Sequence, residues 1–552
     1  MSLALALLLQ HPCVSEDHLK LAKLLQVSKT VREAVFQCCQ GRAVVTIDSS
    51  QWNWGSVAEW IGACGSLLKA LDVDEPTRPY LDSMHAAIAS GLRDAGSRAP
   101  NGQLLLQSFA GRNISPSVLQ VLAQYSSQHL HCLEFSIVRD ASPTTWLPPV
   151  AAALSQLTQL TSLHMRDGRC QTLIHVVAGL PLLKHLTVRF MGGLECFAKQ
   201  TLPSQLESLQ ADNADWFSFS TPDLHLNLQY LTSLTTLKLS DVQLSTPDAL
   251  PLQLKQLTAS DATSKVLLQL TDLQEIRLCK TTTIAAQLQQ LSRLTALSGV
   301  ALGYRNLTAI NVAAEGWSSI PVTSLELNLY NPLPRPSVML DKSLQCLGRL
   351  RLLARLRVTA NFPLLGPASR VAAALSQLTS LQQLWLKDGV MEWDSPCLSA
   401  PCPADHSSNA SEPAAAGVIA AIAKLPHLRL LSVWHGVWRW PADEESEGVA
   451  AAAQSAMWHL TAATQLKELF LSRCPQLTDE LLAALASSLV LLEGLDVSYN
   501  QQLTDAAMPA VSSCLQRLTW LDLRGTSMTA KGVQGLSALG QLRTLYTPST
   551  AM

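Results

Sequence analysis

Three successive segments near the C-terminal end, LKELFLSRCPQLTDELLAAL, LEGLDVSYNQQLTDAAMPAV and LTWLDLRGTSMTAKGVQGL, share one frame, and their equivalent residues Leu471, Val497 and Leu523 fall 26 positions apart each time. A unit of that length is too small to cover its own apolar face, so a chain that repeats it must stack its units. Inside the first unit Leu466, Leu469 and Leu471 follow L-x-x-L-x-L. A strand sends alternate side chains to opposite faces, so the leucines go inward and Glu468, Phe470 and Ser472 outward. Cys474 and Asn500 hold the turn after the strand, where a small or amide side chain satisfies leftover backbone groups, and Thr526 does so less regularly. In Leu477-Thr478-Asp479 and Leu503-Thr504-Asp505, Thr or Asp caps the helix that returns on the other side.

The frame runs backward through LTQLTSLHM, LPLLKHLTV, LTSLTTLKL, LTDLQEIRL, LTSLQQLWL and LPHLRLLSV. Inward anchors fall at Met165, Val188, Ala211, Leu239, Ala259 and Leu278, and the register blurs near Leu302, Leu327 and Val358. Hydrophobic residues make up 48% of the 552 positions but aromatics only 5%, so the core is aliphatic, as stacked repeats require. The alternative, a helical bundle, is opposed by the Pro, Gly and Thr that punctuate the anchors.

The C-terminal frame resembles the cysteine-containing subclass of leucine-rich repeats familiar from F-box proteins, and is similar to the broader ribonuclease-inhibitor-like fold. The resemblance covers residues 460 to 530 closely and about 150 to 460 generically. It implies an α/β fold: a right-handed leucine-rich-repeat solenoid, a horseshoe with short parallel strands on the concave face. Helices or irregular turns would form the convex face, with a small helical region at the N-terminus. The expected domains are a helical region at 1–44, irregular first repeats at 45–149, and repeats at 150–388. A Ser/Pro/Ala-rich insertion follows at 389–416, and repeats at 417–552 carry an acidic insertion at 441–454. Trp52, Trp54 and Trp60 are expected to plug the core of the early repeats.

Residues 1–40 stand outside the frame and read as short amphipathic helices broken at His11-Pro12, with Ser15 placed to cap the second. An apolar helix, a Pro-containing turn, a Leu-rich helix and a V-S-K-x-x-R-E stretch in that order resemble an F-box. That resemblance implies docking onto the adaptor of a cullin ubiquitin ligase through Leu7, Leu8, Pro12, Leu19, Leu24, Val27 and Val31. No Leu-Pro pair opens the motif, and Val31 stands where many F-boxes carry tryptophan. The other reading is a helical cap over the first repeat, which a solenoid needs in any case.

Formal charge is only −2, so no net positive field gathers nucleic acid or an anionic membrane. Thirteen scattered cysteines without a dense cluster fit a reducing compartment. The run LALALLL near Met1 lacks a preceding Lys or Arg and a cleavage pattern, so it is not read as a signal peptide, and no apolar stretch is long enough to span a membrane. Cys397, Cys402 and His406 lack a fourth ligand, and no P-loop, dinucleotide fingerprint, H-E-x-x-H or G-x-S-x-G occurs. The expectation is a chain with no catalytic, cofactor-binding or metal site, acting as a monomeric, non-catalytic interaction scaffold in the cytoplasm, in the nucleus or on the cytoskeleton.

Its protein partner is expected on the concave face. Trp385, Trp434 and Phe470 fall in or beside the outward set of three later strands, with Lys387, Trp520 and Arg524 close by. Large aromatics and Arg are the types that dominate binding energy. Earlier strands present His164, Arg166, His185, Arg189, Lys238 and Arg277, read as a solvated basic face. The sharpest functional reading is a substrate receptor of an F-box ubiquitin ligase; the alternative is a structural scaffold of a cytoskeletal or ciliary assembly.

Overall fold

The computed structural model describes residues 42–47, 54–73, 81–99, 101–137, 143–166, 173–190, 202–213, 227–239, 243–244, 250–279, 290–304, 320, 322–329, 347–360, 368–387, 414–434 and 455–547. The N-terminal region, with Leu7, Leu8, Pro12, Leu19, Leu24, Val27 and Val31, lies outside them, as do Trp52, residues 389–413 of the 389–416 stretch and the whole of 441–454.

 Residues 388–413 and 435–454 in full belong to that undescribed remainder. Two compact units divide the chain, Met1–Leu257 and Thr258–Met552.

In the first unit the strands Ala43–Ile47, Leu68–Val73, Ser108–Ile114, Cys132–Ile137, Ser162–Met165, His185–Phe190, Ser208–Asn213 and Thr236–Leu239 each pair in parallel with the next in chain order. Consecutive strands can be parallel only when each is followed by a segment that returns to the starting end. Register fixes two inward rows. Leu71, Phe109, Leu133, Leu163, Leu186, Leu209 and Leu237 form one, and all are buried. Val73, Gly111, Phe135, Met165, Val188, Ala211 and Leu239 form the other, and at Gly111 a side chain would collide with Ile114 and meet the Phe109 ring.

Return segments are helical where the coils are long: Trp54–Cys64, Leu81–Arg98, Pro116–Ser126 and Pro143–Gln156. Further on, the described residues of this unit include the single helical turn Ile174–Val177. The interval from Leu71 to Phe109 is 38 residues, whereas those from Leu163 to Leu186 and Leu186 to Leu209 are 23 each. Trp54 is buried and Trp60 half-buried among these early helices, and Trp146 is the largest fully buried side chain.

In the second unit parallel pairing runs without interruption through Glu275–Leu278, Gly299–Tyr304, Ser324–Leu329, Arg355–Ala360, Gln383–Lys387, Leu430–Trp434, Glu468–Phe470, Gly494–Asp496, Trp520–Asp522 and Thr544–Tyr546. Leu278, Leu302, Leu327, Val358, Leu386 and Val433 are aligned, so the register continues where the leucine spacing blurs. At the start of each strand, one backbone carbonyl accepts two consecutive N–H groups of the next coil. Gln274 O takes Ser298 and Gly299, Ser298 O takes Thr323 and Ser324, and the relay ends with Thr519 O taking Arg543 and Thr544. Strand Gln256–Ala259 spans the division between the units. In each unit, coils that each add one parallel strand anchored by buried aliphatic residues fit the repeat solenoid expected from the sequence. No helix among the described residues is long and apolar enough to cross a membrane.

The C-terminal coils show how the repeated polar residues work. The Thr478, Thr504 and Thr529 hydroxyls accept the N–H of Leu481, Ala506 and Lys531, capping their own return segments. The aspartate of each motif reaches into the next coil: Asp479 accepts both the N–H and the hydroxyl of Thr504, and Asp505 does the same for Thr529. Asn500, buried at the turn, accepts the N–H of Cys474 and donates to the carbonyls of Leu471 and Val497 at 2.8 and 2.9 Å. Cys474 holds the equivalent place, and complete desolvation pushes its thiol up to about 12. Ser472, expected to face solvent with Glu468 and Phe470, is only 6% exposed. Its hydroxyl lies 3.0 Å from that of Ser498 on the next coil, a buried contact.

Candidate partner-binding face

Strand register places the outward residues of the second unit in rows. One row runs Glu326, Arg357, Trp385, Ser432, Phe470, Asp496, Asp522 and Tyr546. A second, two positions earlier, runs Gln383, Leu430, Glu468, Gly494, Trp520 and Thr544. Trp385 and Phe470 therefore share a row with Ser432 between them, while Trp434 lies in a third row, opposite Lys387. Neighbouring parallel strands are about 4.8 Å apart, so the two ring-bearing backbones stand about 10 Å apart across a serine floor. Trp385, Lys387, Phe470 and Trp520 are half-buried and Arg524 is exposed; of Trp434 only the backbone is described.

Trp520 is brought to Phe470 across a strand. Gly494 separates Glu468 from Trp520 in their row, and a Cβ there would collide with the indole, which lies over this glycine. The Phe470 and Trp520 centroids are 5.1 Å apart with planes at 42°, a tilted pairing.

Arg524 is held rather than offered. Its Nε and Nη2 donate to both carboxylate oxygens of Asp522, Nη2 at 2.6 Å, and its guanidinium lies 4.9 Å from the ring centre of Tyr546. Arg473 sits 4.9 Å from the Tyr499 ring centre in the same manner two coils earlier. Asp496 is 7% exposed, and desolvation raises its carboxyl above the ordinary aspartate value against the pull of the Ser498 hydrogen bonds. Asp496, Tyr499 and Tyr546 are members of this face that the sequence reading did not single out; counting 26 onward from Phe470 and Arg473 would have found the first two.

On the first unit the apparent basic stripe is neutralised locally. Glu134 pairs with Arg166 and lies 3.4 Å from His164, whose burial lowers its pKa below the usual 6.5 despite that carboxylate. Arg189 stands opposite Asp212 in the register. In the second unit Arg277 pairs with Glu326 at 2.9 Å. Among the described residues no group of three His, Cys, Asp or Glu side chains is placed to hold a metal ion.

No protein-family model matches the sequence, and no curated protein does so either. Among solved structures, a leucine-rich-repeat protein of Leptospira interrogans is similar over 87% of this chain and 91% of its own, at 13% identity and a TM-score of 0.26.

Proposed function

We propose that this chain is a non-catalytic protein-binding scaffold whose partner lies on the outward strand face of the second unit. The observation that carries this reading is the set of half-buried aromatics aligned on paired strands, Trp385 and Phe470 in one row and Trp520 packed against Phe470. Rings set rigidly on a parallel ladder present apolar area with little conformational entropy left to lose, which favours their use as anchors. Trp434, Lys387 and Arg524 border the same area.

In its sharpest form the proposal is a substrate receptor of an F-box-type cullin ligase in the cytosol or nucleus. Residues 1–44 then dock the adaptor through Leu7, Leu8, Pro12, Leu19, Leu24, Val27 and Val31, and the strand face holds the substrate. The deciding experiment is a pull-down from lysate with the full chain beside a chain lacking residues 1–40, probed for the adaptor. Retention by the full chain alone supports the ligase reading; retention by neither leaves a structural scaffold whose N-terminal helices are a cap. Trp434→Ala and Phe470→Ala should each cost partner binding about tenfold or more without unfolding the chain. Binding unchanged in both variants would remove the aromatic face from the proposal.

A further inference from the structure

From Lys342 to Lys387 the chain carries seven Lys or Arg and no Asp or Glu, although its 40 basic and 42 acidic residues nearly balance overall. The described parts of three successive coils, 347–360, 368–387 and 414–434, hold no carboxylate side chain. Four arginines fall on the first of these coils. Arg349 and Arg351 stand on the turns that lead into strand Arg355–Ala360, and Arg355 and Arg357 alternate with the buried Leu356 and Val358, so they face outward. All four are exposed. Arg166, Arg277 and Arg524 are each paired with a carboxylate, whereas these four have no ion-pair partner among the described residues. Arg357 does have an acidic register partner, Glu326, but both oxygens of that carboxylate are taken, one by Arg277 at 2.9 Å and the other by Asn328 at 3.1 Å. On its other side Arg357 is partnered by the half-buried Trp385, and Arg355 by Gln383. Residues two apart on a strand stand about 6.6 Å apart, and so do those of an extended peptide. Guanidinium groups left without a counter-charge at that spacing, beside an indole, match alternate carboxylates next to an apolar side chain. The strip is also short. Glu326 bounds it on one flank and Glu468, Asp496 and Asp522 lie on the other, so a phosphodiester backbone laid across the strands would meet like charge at both ends.

We propose that Arg355 and Arg357, with Trp385 beside them, dock an extended acidic segment of the partner protein. Two carboxylates at alternate positions meet the two guanidinium groups, and an apolar side chain covers the indole. The proposal rests on the protein-binding reading above and adds the chemistry of the partner. Arg349 and Arg351 extend the positive charge to the entry end of the strand, where further acidic residues of the same segment would lie.

The test is fluorescence anisotropy with the full chain and a fluorescein-labelled peptide, Gly-Glu-Ala-Glu-Phe-Gly, beside the same peptide with glutamine for both glutamates. The expected result is saturable binding of the acidic peptide alone, weakening as salt screens the charges. Both arginines are exposed, so Arg355→Gln and Arg357→Gln leave the core alone. Each should weaken binding about tenfold, the scale of one charged hydrogen bond. No binding, equal binding of the glutamine peptide, or undiminished binding by the double variant overturns the proposal. Tighter binding of a fluorescein-labelled oligothymidylate also overturns it, because the ligand is then a phosphate backbone. So does binding that appears only after Asp443→Asn, Glu444→Gln, Glu445→Gln and Glu447→Gln, because the occupant is then the chain's own acidic stretch. A protein partner kept by the Arg355→Gln/Arg357→Gln variant but lost on Phe470→Ala would sink the acidic-segment proposal and leave the binding face standing.

Discussion

Positions 473, 499 and 525 are equivalent in three successive coils, and all three have left-handed backbone, with φ of 56°, 58° and 69°. Only the last is glycine. At the other two, Arg473 and Tyr499 accept about 1–2 kcal/mol of backbone strain, and the stacking of arginine on tyrosine offsets part of it. Gly525 is needed for a second reason, since a Cβ there would meet Tyr499 Cδ1 at 2.7 Å. Gly525→Ala should lower stability by about 1–2 kcal/mol, checked by urea unfolding of the full chain. Leu469→Asp should cost about 3–5 kcal/mol, because it sets a charge at a fully buried anchor; a variant as stable as the parent would contradict the inward assignment. Asp496 behaves oppositely. Its pKa is raised in the folded chain, so the folded state binds the proton more readily and stability falls as pH rises from the unfolded value through the folded one. Above that window Asp496→Asn, which retains an acceptor for Ser498, should raise Tm, and a fall in Tm at pH 7 would count against desolvation as the dominant cause.

The leucine anchors were legible as elements because a two-residue alternation inside a near-constant interval survives without any tertiary information. Met165, Val188, Ala211, Leu239, Ala259 and Leu278 are all buried at their expected places. The pairing through Leu302, Leu327 and Val358 was not legible, because it depends on backbone carbonyls that every residue type carries alike. The rows across strands were only partly legible: Trp385 and Phe470 could be identified as outward, but not that Ser432 separates them or that Gly494 lets Trp520 reach across. The L-T-D motif read as a local cap supplied by Thr or Asp; the threonines cap, and the aspartates tie one coil to the next. The Asp505 carboxyl is held below the usual aspartate value by the Thr529 hydroxyl and amide. Its contribution is therefore present above the unfolded pKa and lost as pH falls through the lower folded one. Asp505→Ala should speed hydrogen exchange at the Thr529 amide at neutral pH, and equal exchange rates in both chains would remove the tie.

On the scale of the whole molecule, alignment does not depend on coil length. Leu386 and Val433 are register partners although 47 positions separate them, whereas Leu495 and Leu521 are partners at 26. Only the few residues that begin each strand are read by the carbonyl of the coil before, so the stretch between strands is free to differ in size. Codons gained or lost between positions 388 and 413 should leave the order of the face untouched. That interval is accordingly the address at which a fluorescent tag or a foreign peptide could be spliced into the gene without shifting the strands on either side.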